Sequence, residues 1–371
     1  MHLSSTGTAI ICFLVALFRY HEVASFCIDV VSCRPASTFL FAESIRASSL
    51  LYGEHEKLLI NRGVFEAELM LPGTPIDAHI VKGGSGGEGF GANGSGGGGS
   101  KKALLKTQAK AHARVLKERG VVRIDNVLNP SLADSLRKHV YDLRHESEQA
   151  IAAGTLNPKA IFANVLLTHN RRDMTLPMGP EWTGQALSRI LLESPVGFTI
   201  ESILGKEALL REWSCLMSDP QSQRQVVHPD TPWQLEPVLY TCFVALQDVT
   251  FDMGPTTWLP ETHTEAIHKQ FQDESGPKDH LLATTPNVLG LLPKGACAIY
   301  DSRLLHCGGS NESEQSRALL YLSFQNPTVS NPGNPGSIRS DLIGRWTLQG
   351  LTKELQAFQK GKPNQVVTTL Q

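Results

Sequence analysis

The chain lacks three features that would each assign it to a well-defined class of protein. Its seven cysteines are scattered and contain no Cys-x-x-Cys pair, which excludes a disulfide scaffold and a zinc ribbon. It has no long run of Lys or Arg and a net charge of −2, so the basic surface that a nucleic-acid-binding protein needs is missing. An apolar run of eleven residues, TAIICFLVALF, is too short to span a bilayer. The composition, with 41% hydrophobic and 19% charged residues over 371 positions, is that of an ordinary globular protein with a core.

The apolar run lies at Thr8–Phe18, where its length suits the core of a signal peptide. Small residues at Val23–Phe26 supply a cleavage site, although the first residues lack the Lys or Arg typical of such signals. We therefore expect residues 1–25 to be a targeting segment that directs the chain into the secretory pathway, and through it to an organelle such as a plastid. An anchor helix and a misassigned start codon are the alternatives. We expect no stable membrane span in the mature chain.

A glycine-rich stretch, GGSGGEGFGANGSGGGGS, follows at residues 83–100. Eleven of its eighteen residues are Gly, and Ser100 precedes the lysines, so the Gly-Lys-Ser/Thr end of a phosphate-binding loop is absent. We interpret the stretch as a flexible linker. It separates a variable N-terminal segment, residues 26–82, from a folded unit at residues 101–371, which is long enough for one substantial core.

Within residues 101–371, helical patterns come first and strand patterns follow. The segment KALLKTQAKAHARVLKERG has apolar residues at helical spacing and ends at Gly120. After a predicted strand, VVRIDNV, a second helix opens at Asn129-Pro130 with Asn as its cap, and a third is predicted over residues 184–205. Beyond residue 210, segments such as PVLYTCFVALQDV and RALLYLSFQNP alternate with turn residues, which predicts a β-sandwich or barrel after the helices.

The stretch QVVHPD contains a candidate half of a metal site. On a strand, side chains two residues apart point to the same face, so His228 and Asp230 could bind one ion. Chance also produces such spacings, and a turn with two polar residues is the alternative. His306, 78 residues downstream on a strand-like segment, is the candidate third ligand of a two-histidine, one-carboxylate site. Arg317, at the start of the next predicted strand, could pair with a carboxylate of a co-substrate.

Three blocks of the sequence, QVVHPD, GPTTWLPETH and GACAIYDSRLLHCGGSNESEQSRALLYLSF, together resemble the phytanoyl-CoA dioxygenase family of iron(II)- and 2-oxoglutarate-dependent oxygenases. The resemblance extends from about Leu116 to Asn326, and the third block is its most specific part. It implies an α+β fold with a double-stranded β-helix core (jelly-roll, cupin-like) flanked by N-terminal helices. It also implies Fe(II), 2-oxoglutarate and O2 as cofactors.

Carried over by position, the resemblance implies that His228, Asp230 and His306 are the iron ligands. It implies that Arg317 binds the distal carboxylate of 2-oxoglutarate. It places Gln225 and Gly308 beside the co-substrate. The chain departs from the family pattern in having LPETH in place of PGSH, and Gly308 where some members have Ser. Neither departure touches an iron ligand. Related halogenases have Gly or Ala in place of the acidic ligand, so Asp230 favours hydroxylation.

The resemblance thus implies a dioxygenase that hydroxylates an aliphatic C–H bond of a small-molecule substrate and releases succinate and CO2. A non-catalytic metal-binding β-barrel of the same fold is the alternative, and a hydrolytic zinc site with the same ligands is a third hypothesis. The identity of the substrate and the oligomeric state do not follow from the sequence.

Other polar residues compete for a role in the site. His263 and Glu265 form a rival His-x-Glu pair in a Pro-containing loop. Arg303, three residues before the distal histidine, could contact substrate or pair with Asp301 or Glu312. These alternatives stay open at the level of the sequence.

Overall fold

The computed structural model of the protein describes six stretches of the chain: residues 62–63, 65–77, 98–163, 170–178, 180–329 and 344–361. The targeting segment predicted at residues 1–25 lies outside the described residues, as does most of the predicted linker. Among the described residues, no helix is long and apolar enough to cross a bilayer.

Two long helices precede most of the strands, as their sequence patterns predict. Helix α1 (Gly98–Arg119) ends at Gly120, whose φ of 77° is a left-handed conformation that glycine adopts without strain. Helix α2 (Pro130–Ala152) is capped by Asn129, whose side-chain oxygen accepts a hydrogen bond from the backbone of the first turn at 2.7 Å. Pro130 is tolerated there because the N–H that it lacks would have no partner within the helix.

The prediction of one helix over residues 184–205 is wrong. An irregular helical segment of π and α turns runs from Pro180 to Leu192, and a separate helix α3 (Val196–Leu204) follows it. Pro195 explains the break, because proline lacks a backbone donor and disfavours a helical conformation of the preceding residue. Three more helices lie later in the chain: α4 (Glu265–Gln272), α5 (Pro277–Thr284) and α6 (Leu348–Gln359).

Ten strands in the described residues form two sheets, so the chain is a mixed α+β protein. The smaller sheet has the order β1-β7-β6-β9 and consists of β1 (Thr74–Pro75), β6 (Thr256–Trp258), β7 (Val288–Leu289) and β9 (His306–Gly308). The larger sheet is antiparallel with the order β2-β8-β5-β10-β4-β3 and consists of β2 (Val121–Ile124), β3 (Arg171–Thr175), β4 (Leu209–Ser218), β5 (Leu239–Ala245), β8 (Cys297–Asp301) and β10 (Arg317–Gln325).

Strand β4 shows how the larger sheet separates two sides of the core. Trp213, Cys215 and Met217 pack in one hydrophobic cluster with residues of α2, α3 and α6. The alternate residues of β4 point to the opposite face of the sheet. On that face, Tyr321 of β10 shares a second cluster with Trp258 of the smaller sheet. We call this second side the interior face, because it lies toward the smaller sheet.

Residues 62–77 are part of the folded unit, although the glycine-rich stretch predicted a boundary at residue 101. Strand β1 pairs in parallel with β7, and Ile76 packs in the same cluster as Trp258. Glu66 is fully buried and accepts a hydrogen bond from Val227 N at 2.6 Å. The folded unit therefore begins before residue 101, and its N-terminal part contacts the segment that carries the first candidate metal ligand.

Candidate metal centre

Backbone pairing brings His228 beside His306. The two residues form an isolated antiparallel bridge in which each N–H donates to the carbonyl oxygen of the other at 2.9 Å. Directly opposed residues project their side chains to the same face, and the centroids of the two imidazole rings are 4.6 Å apart. Strand β9, which begins at His306, is held on its other side by antiparallel pairing with β6.

Asp230 completes a cluster with the two histidines. Its Oδ1 atom lies 3.9 Å from His228 Nε2 and 3.6 Å from His306 Nε2. One ligand atom from each side chain lies within 4.8 Å of the others, and no other group of three such ligands occurs in the described part of the chain. His306 is buried whereas His228 and Asp230 are partly exposed, so the cluster opens to solvent on one side.

Hydrogen bonds on the far side of each imidazole set its tautomer. His228 Nδ1 lies 2.8 Å from Val226 O, and His306 Nδ1 lies 2.9 Å from Leu304 O. A carbonyl oxygen only accepts, so each Nδ1 carries its hydrogen and each Nε2 presents a lone pair to the cluster. Burial lowers the pKa of His306, which favours the neutral imidazole that binds a metal cation.

Tyr300 orients the carboxylate. Its hydroxyl donates to Asp230 Oδ2 at 2.8 Å, and its ring centroid lies 4.9 Å from that of His306. Burial, together with the charge of Asp230, raises the pKa of Tyr300 well above its ordinary value, so the phenol keeps its proton and acts as the donor. One carboxylate oxygen is therefore engaged, and the other faces the two imidazoles.

The three side chains fit a divalent iron ion. Two neutral imidazoles and one carboxylate are the donor set of a facial triad, which leaves further coordination positions for a co-substrate and O2. The hydrogen bonds to Val226, Leu304 and Tyr300 orient all three side chains. These contacts arrange the three side chains as a candidate metal centre.

Arg317, the first residue of β10, has a fully buried guanidinium on the interior face. Its Nη2 donates to Ser218 Oγ at 3.0 Å and its Nη1 to the Gly254 carbonyl, while its Nε has no partner among the described residues. Burial, reinforced by the charge of Arg171, lowers the pKa of Arg317 to about 9. An anion would stabilise such a buried cation, and a carboxylate matches the paired donors of a guanidinium.

A second buried guanidinium lies next to the first, and nothing in the local sequence pattern indicated it. Arg171 of β3, Ser218 of β4 and Arg317 of β10 stand directly opposite one another across three neighbouring strands. Arg171 Nη1 donates to the same Ser218 hydroxyl at 2.7 Å, and burial lowers the pKa of Arg171 to about 10. Two cations share one neutral hydroxyl, so this end of the interior suits an anionic ligand.

Gln225 and Gly308 lie together beside Arg171. Gln225 Oε1 accepts from Gly308 N at 2.9 Å, and Gln225 N donates to the Gly308 carbonyl, also at 2.9 Å. A Cβ at position 308 would be 2.6 Å from Gln225 Oε1 and 2.9 Å from Arg171 Nη1. This close approach explains why residue 308 is a glycine. The side-chain oxygen of Gln225 is engaged by its hydrogen bond to Gly308 N and so helps to hold β9.

The rival pair lies apart from the cluster. His263 Nε2 is 3.2 Å from the carbonyl oxygen of Lys117, and Glu265 pairs with Lys269 at 2.7 Å on α4. Neither side chain belongs to the group that could hold a metal ion.

Arg303 has a structural role between the strands. It donates to both carboxylate oxygens of Asp301, at 2.9 and 2.7 Å, and to the carbonyl of Gln234 at 2.7 Å. These contacts tie the turn between β8 and β9 to the segment that follows Asp230. Of the alternatives left open by the sequence, pairing with Asp301 is therefore the one that the structure shows.

Comparison with known proteins gives the family. The model of the family described as Phytanoyl-CoA dioxygenase (PhyH) matches residues 116–319, which is more than half of the chain. The protein therefore belongs to the phytanoyl-CoA dioxygenase family, and the resemblance of its motifs is confirmed. It is an oxygenase-type enzyme, and its cofactors are those of the family: Fe(II), 2-oxoglutarate and O2.

Several solved structures are similar to the chain at low sequence identity. The non-heme alpha ketoglutarate dependent epimerase SnoN from nogalamycin biosynthesis is 16% identical with a TM-score of 0.43, over 61% of this chain and 90% of that one. The non-heme alpha ketoglutarate dependent carbocyclase SnoK from nogalamycin biosynthesis is 17% identical. Its TM-score is 0.42, over 58% of this chain and 84% of that one, and the values below follow the same order. For AviO1 from Streptomyces viridochromogenes Tue57 they are 15%, 0.46, 60% and 97%. These overlays are too loose to support a particular reaction, and the family assignment rests on residues 116–319.

Proposed function

We propose that the protein is an Fe(II)- and 2-oxoglutarate-dependent dioxygenase that hydroxylates an aliphatic C–H bond of a small molecule and releases succinate and CO2. The observation that carries this proposal is the convergence of His228, Asp230 and His306, whose ligand atoms lie within 4.8 Å of one another. These three residues would hold the iron. Iron, 2-oxoglutarate and O2, when bound, would supply the oxidising chemistry, while the protein would position them.

The cationic end of the interior supports 2-oxoglutarate as the co-substrate. Arg317 binds the distal carboxylate in this proposal, and Arg171 adds its charge from the neighbouring position. A planar guanidinium satisfies both oxygens of a carboxylate at once, and burying that carboxylate unpaired would be costly. The Nε of Arg317, which has no partner among the described residues, is a donor available for such a ligand. Gly308 keeps the space beside Arg171 clear of a side chain.

The arrangement of the strands supports a double-stranded β-helix around this site. Trp258 of the smaller sheet shares one hydrophobic cluster with Phe243, Tyr300 and Leu319 of the larger sheet. His306 of the smaller sheet also lies against Tyr300. Both contacts favour two sheets packed face to face, with the metal ligands between them and apolar side chains excluding water behind them.

The carboxylate ligand favours hydroxylation among the outcomes open to such an enzyme. Asp230 fills the place that a bound halide would need, and the Tyr300 hydroxyl, 2.8 Å from Oδ2, holds it there. The partly exposed edges of His228 and Asp230 mark the side from which a substrate approaches. The C–H bond to be oxidised would therefore lie on that open side.

Turnover of 2-oxoglutarate distinguishes this function from its alternatives. With Fe(II) and O2 we expect slow conversion of 2-oxoglutarate into equal amounts of succinate and CO2, and replacement of Fe(II) by Zn(II) should stop it. A non-catalytic protein would bind iron without releasing succinate. A hydrolytic zinc enzyme would be active with zinc and indifferent to 2-oxoglutarate. Either of these results would contradict the proposal.

Residues 1–25 are proposed to direct the chain into the secretory pathway, or through it to an organelle such as a plastid. The support is the apolar run at Thr8–Phe18 and the small residues that follow it. A full-length C-terminal fluorescent fusion should enter that route, and deletion of residues 1–25 should leave it in the cytosol. The same location for both fusions would exclude this role.

A further inference from the structure

Two acidic side chains line the interior face of the larger sheet, farther along the strands than the two guanidinium groups. Glu212 of β4 is buried and alternates with Trp213, so it points away from the helices. It accepts a hydrogen bond from the Ser323 hydroxyl of β10. Asp173 of β3 accepts from the Tyr321 hydroxyl, which lies 2.8 and 2.7 Å from its two oxygens. The interior thus carries two carboxylates besides the metal ligand.

A buried hydroxyl lies between these carboxylates. Ser214 is two residues from Glu212 on β4 and stands directly opposite both Thr175 of β3 and Tyr321 of β10. Its side chain is 0% exposed, and its Oγ has no hydrogen-bond partner among the described residues. A buried hydroxyl without a hydrogen-bond partner among the described residues indicates that a group of a bound ligand forms the missing hydrogen bond.

Aromatic rings lie on the same interior face of the larger sheet, and we call this face, with its carboxylates and rings, the wall. Phe243 of β5 is paired with Tyr321 in the sheet, and their ring centroids are 5.6 Å apart in an edge-to-face arrangement. The ring of Phe243 also lies 5.3 Å from that of Tyr300. Aromatic faces attract cations, and carboxylates bind them through charge-assisted hydrogen bonds. A wall that combines rings with carboxylates is suited to an ammonium or guanidinium group.

This wall adjoins the metal centre. Glu212, Ser323, Thr241 and Tyr300 are directly opposed across four neighbouring strands, and Tyr300 donates to Asp230. A molecule that spans about 14 Å, three strand spacings, would reach from Glu212 to the triad.

We propose that the substrate is a small cationic molecule whose ammonium or guanidinium group binds among Glu212, Asp173 and Ser214 while its reactive C–H bond lies at the open side of the triad. This inference rests on the proposed function, since it names the substrate class of the same site.

Calorimetric titration with matched probes tests the charge preference. The probes are the primary amines from n-butylamine to n-octylamine, with the alcohols and carboxylates of equal length, titrated under argon into protein loaded with Fe(II) and 2-oxoglutarate. A hydrogen bond to a charged group is worth roughly tenfold or more in affinity. We therefore expect at least one amine to bind roughly tenfold more tightly than its alcohol, and the carboxylates to bind most weakly. Absence of an amine preference at every length would overturn the proposal.

Substitution of Glu212 and Asp173 tests whether these residues cause the preference for amines. Glu212→Gln keeps the shape and removes the charge, so the preference for amine over alcohol should fall roughly tenfold. Glu207→Gln is the matched control at an exposed residue before β4 and should keep the preference. Asp173→Asn repeats the test if Glu212→Gln unfolds at a lower temperature than wild type. If the folded Glu212→Gln and Asp173→Asn variants keep the wild-type preference for amine over alcohol, the proposal is also overturned.

The titration does not depend on turnover, so the two proposals can fail separately. The carboxylates belong to the chain itself, and the amine preference should persist in metal-free protein. Absence of iron-dependent succinate formation would contradict the dioxygenase function. A persistent amine preference in that case would show a cation-binding site without the proposed chemistry.

Discussion

Tyr300 donates a hydrogen bond to Asp230 Oδ2 at 2.8 Å, so one oxygen of the carboxylate is engaged by the protein and the other faces the two imidazoles. The contact joins the central part of the larger sheet to the segment that follows β4. It orients the carboxylate. Loss of the hydroxyl should therefore affect metal binding more than folding.

We predict that Tyr300→Phe lowers the affinity for Fe(II) by about 10- to 100-fold, the usual effect of losing a contact that orients a metal ligand. The aromatic ring and its packing against His306 are kept, so the unfolding temperature should change little. Competition with a chelator under argon measures the iron affinity. Tyr321→Phe is the matched control, because its hydroxyl binds Asp173 instead. Equal iron affinities in the two variants would contradict the role assigned to Tyr300.

Arg317→Met should raise the concentration of 2-oxoglutarate needed for half-saturation about a hundredfold, since hydrogen bonds to a charged group contribute roughly 1.5–3 kcal/mol. Iron affinity should barely move, because Arg317 is not a ligand. Arg171→Met should have a smaller effect, because its charge acts from β3, two strands away from Arg317. Arg172→Met is the control, since this partly exposed side chain lies 3.7 Å from Glu148. Unchanged half-saturation in Arg317→Met would show that another group holds the co-substrate.

Glu66 connects the N-terminal segment to the metal centre. Its carboxylate accepts from Val227 N at 2.6 Å and pairs with Arg62 at 2.9 Å and Lys278 at 3.4 Å. Glu66→Ala should cost about 3 kcal/mol in the free energy of unfolding, because it leaves the buried Val227 N–H without an acceptor and removes the buried acid between Arg62 and Lys278. Denaturant unfolding measures this loss. Glu68→Ala, the same change at an exposed position, should cost almost nothing, and equal losses would exclude a specific role for Glu66.

The ion pair of Arg144 and Asp219 should make stability depend on pH. Arg144 donates to both oxygens of Asp219, at 2.8 and 2.7 Å. Burial alone would raise the pKa of Asp219, but the hydrogen bonds from Arg144 and Ser316 outweigh it and hold the pKa below its ordinary value. The pair therefore stabilises the folded state above the unfolded pKa of about 3.9, and this contribution is lost as the pH falls through the folded pKa.

We accordingly expect Asp219→Asn to lose about 1–3 kcal/mol of unfolding free energy near pH 7. The difference from wild type should shrink when unfolding is measured well below the unfolded pKa of about 3.9. Asp142→Asn, at an exposed aspartate of α2, is the control. A difference that stays constant over the whole pH range would contradict the linkage.

The parts of the site that lie in local patterns could be predicted from the sequence. The two-residue spacing of His228 and Asp230 predicted that both could bind one ion, and those side chains do lie together with His306. Only His228 takes part in a strand-like bridge, whereas Asp230 lies in a bend. The caps at Gly120 and Asn129 are likewise local, so the ends of α1 and α2 were predictable.

Other parts of the site depend on partners that are distant in sequence. Arg171 shares the Ser218 hydroxyl with a residue of a third strand, and Glu66 binds a backbone donor 161 residues away. Strand pairing determines both contacts, and no spacing within either segment indicates it. The single helix predicted around Pro195 failed for a different reason: apolar periodicity on both sides of the proline concealed the break.

Iron binding by single-site variants tests the metal centre most directly. Under argon, wild-type protein should bind one Fe(II) per chain, and His306→Ala should lose tight binding while keeping its circular dichroism spectrum, because two protein ligands rarely hold Fe(II) against water. His263→Ala removes the rival histidine and should bind iron as wild type does. If His306→Ala instead kept wild-type iron affinity, or if His263→Ala lost it, then His228, Asp230 and His306 would not be the metal centre.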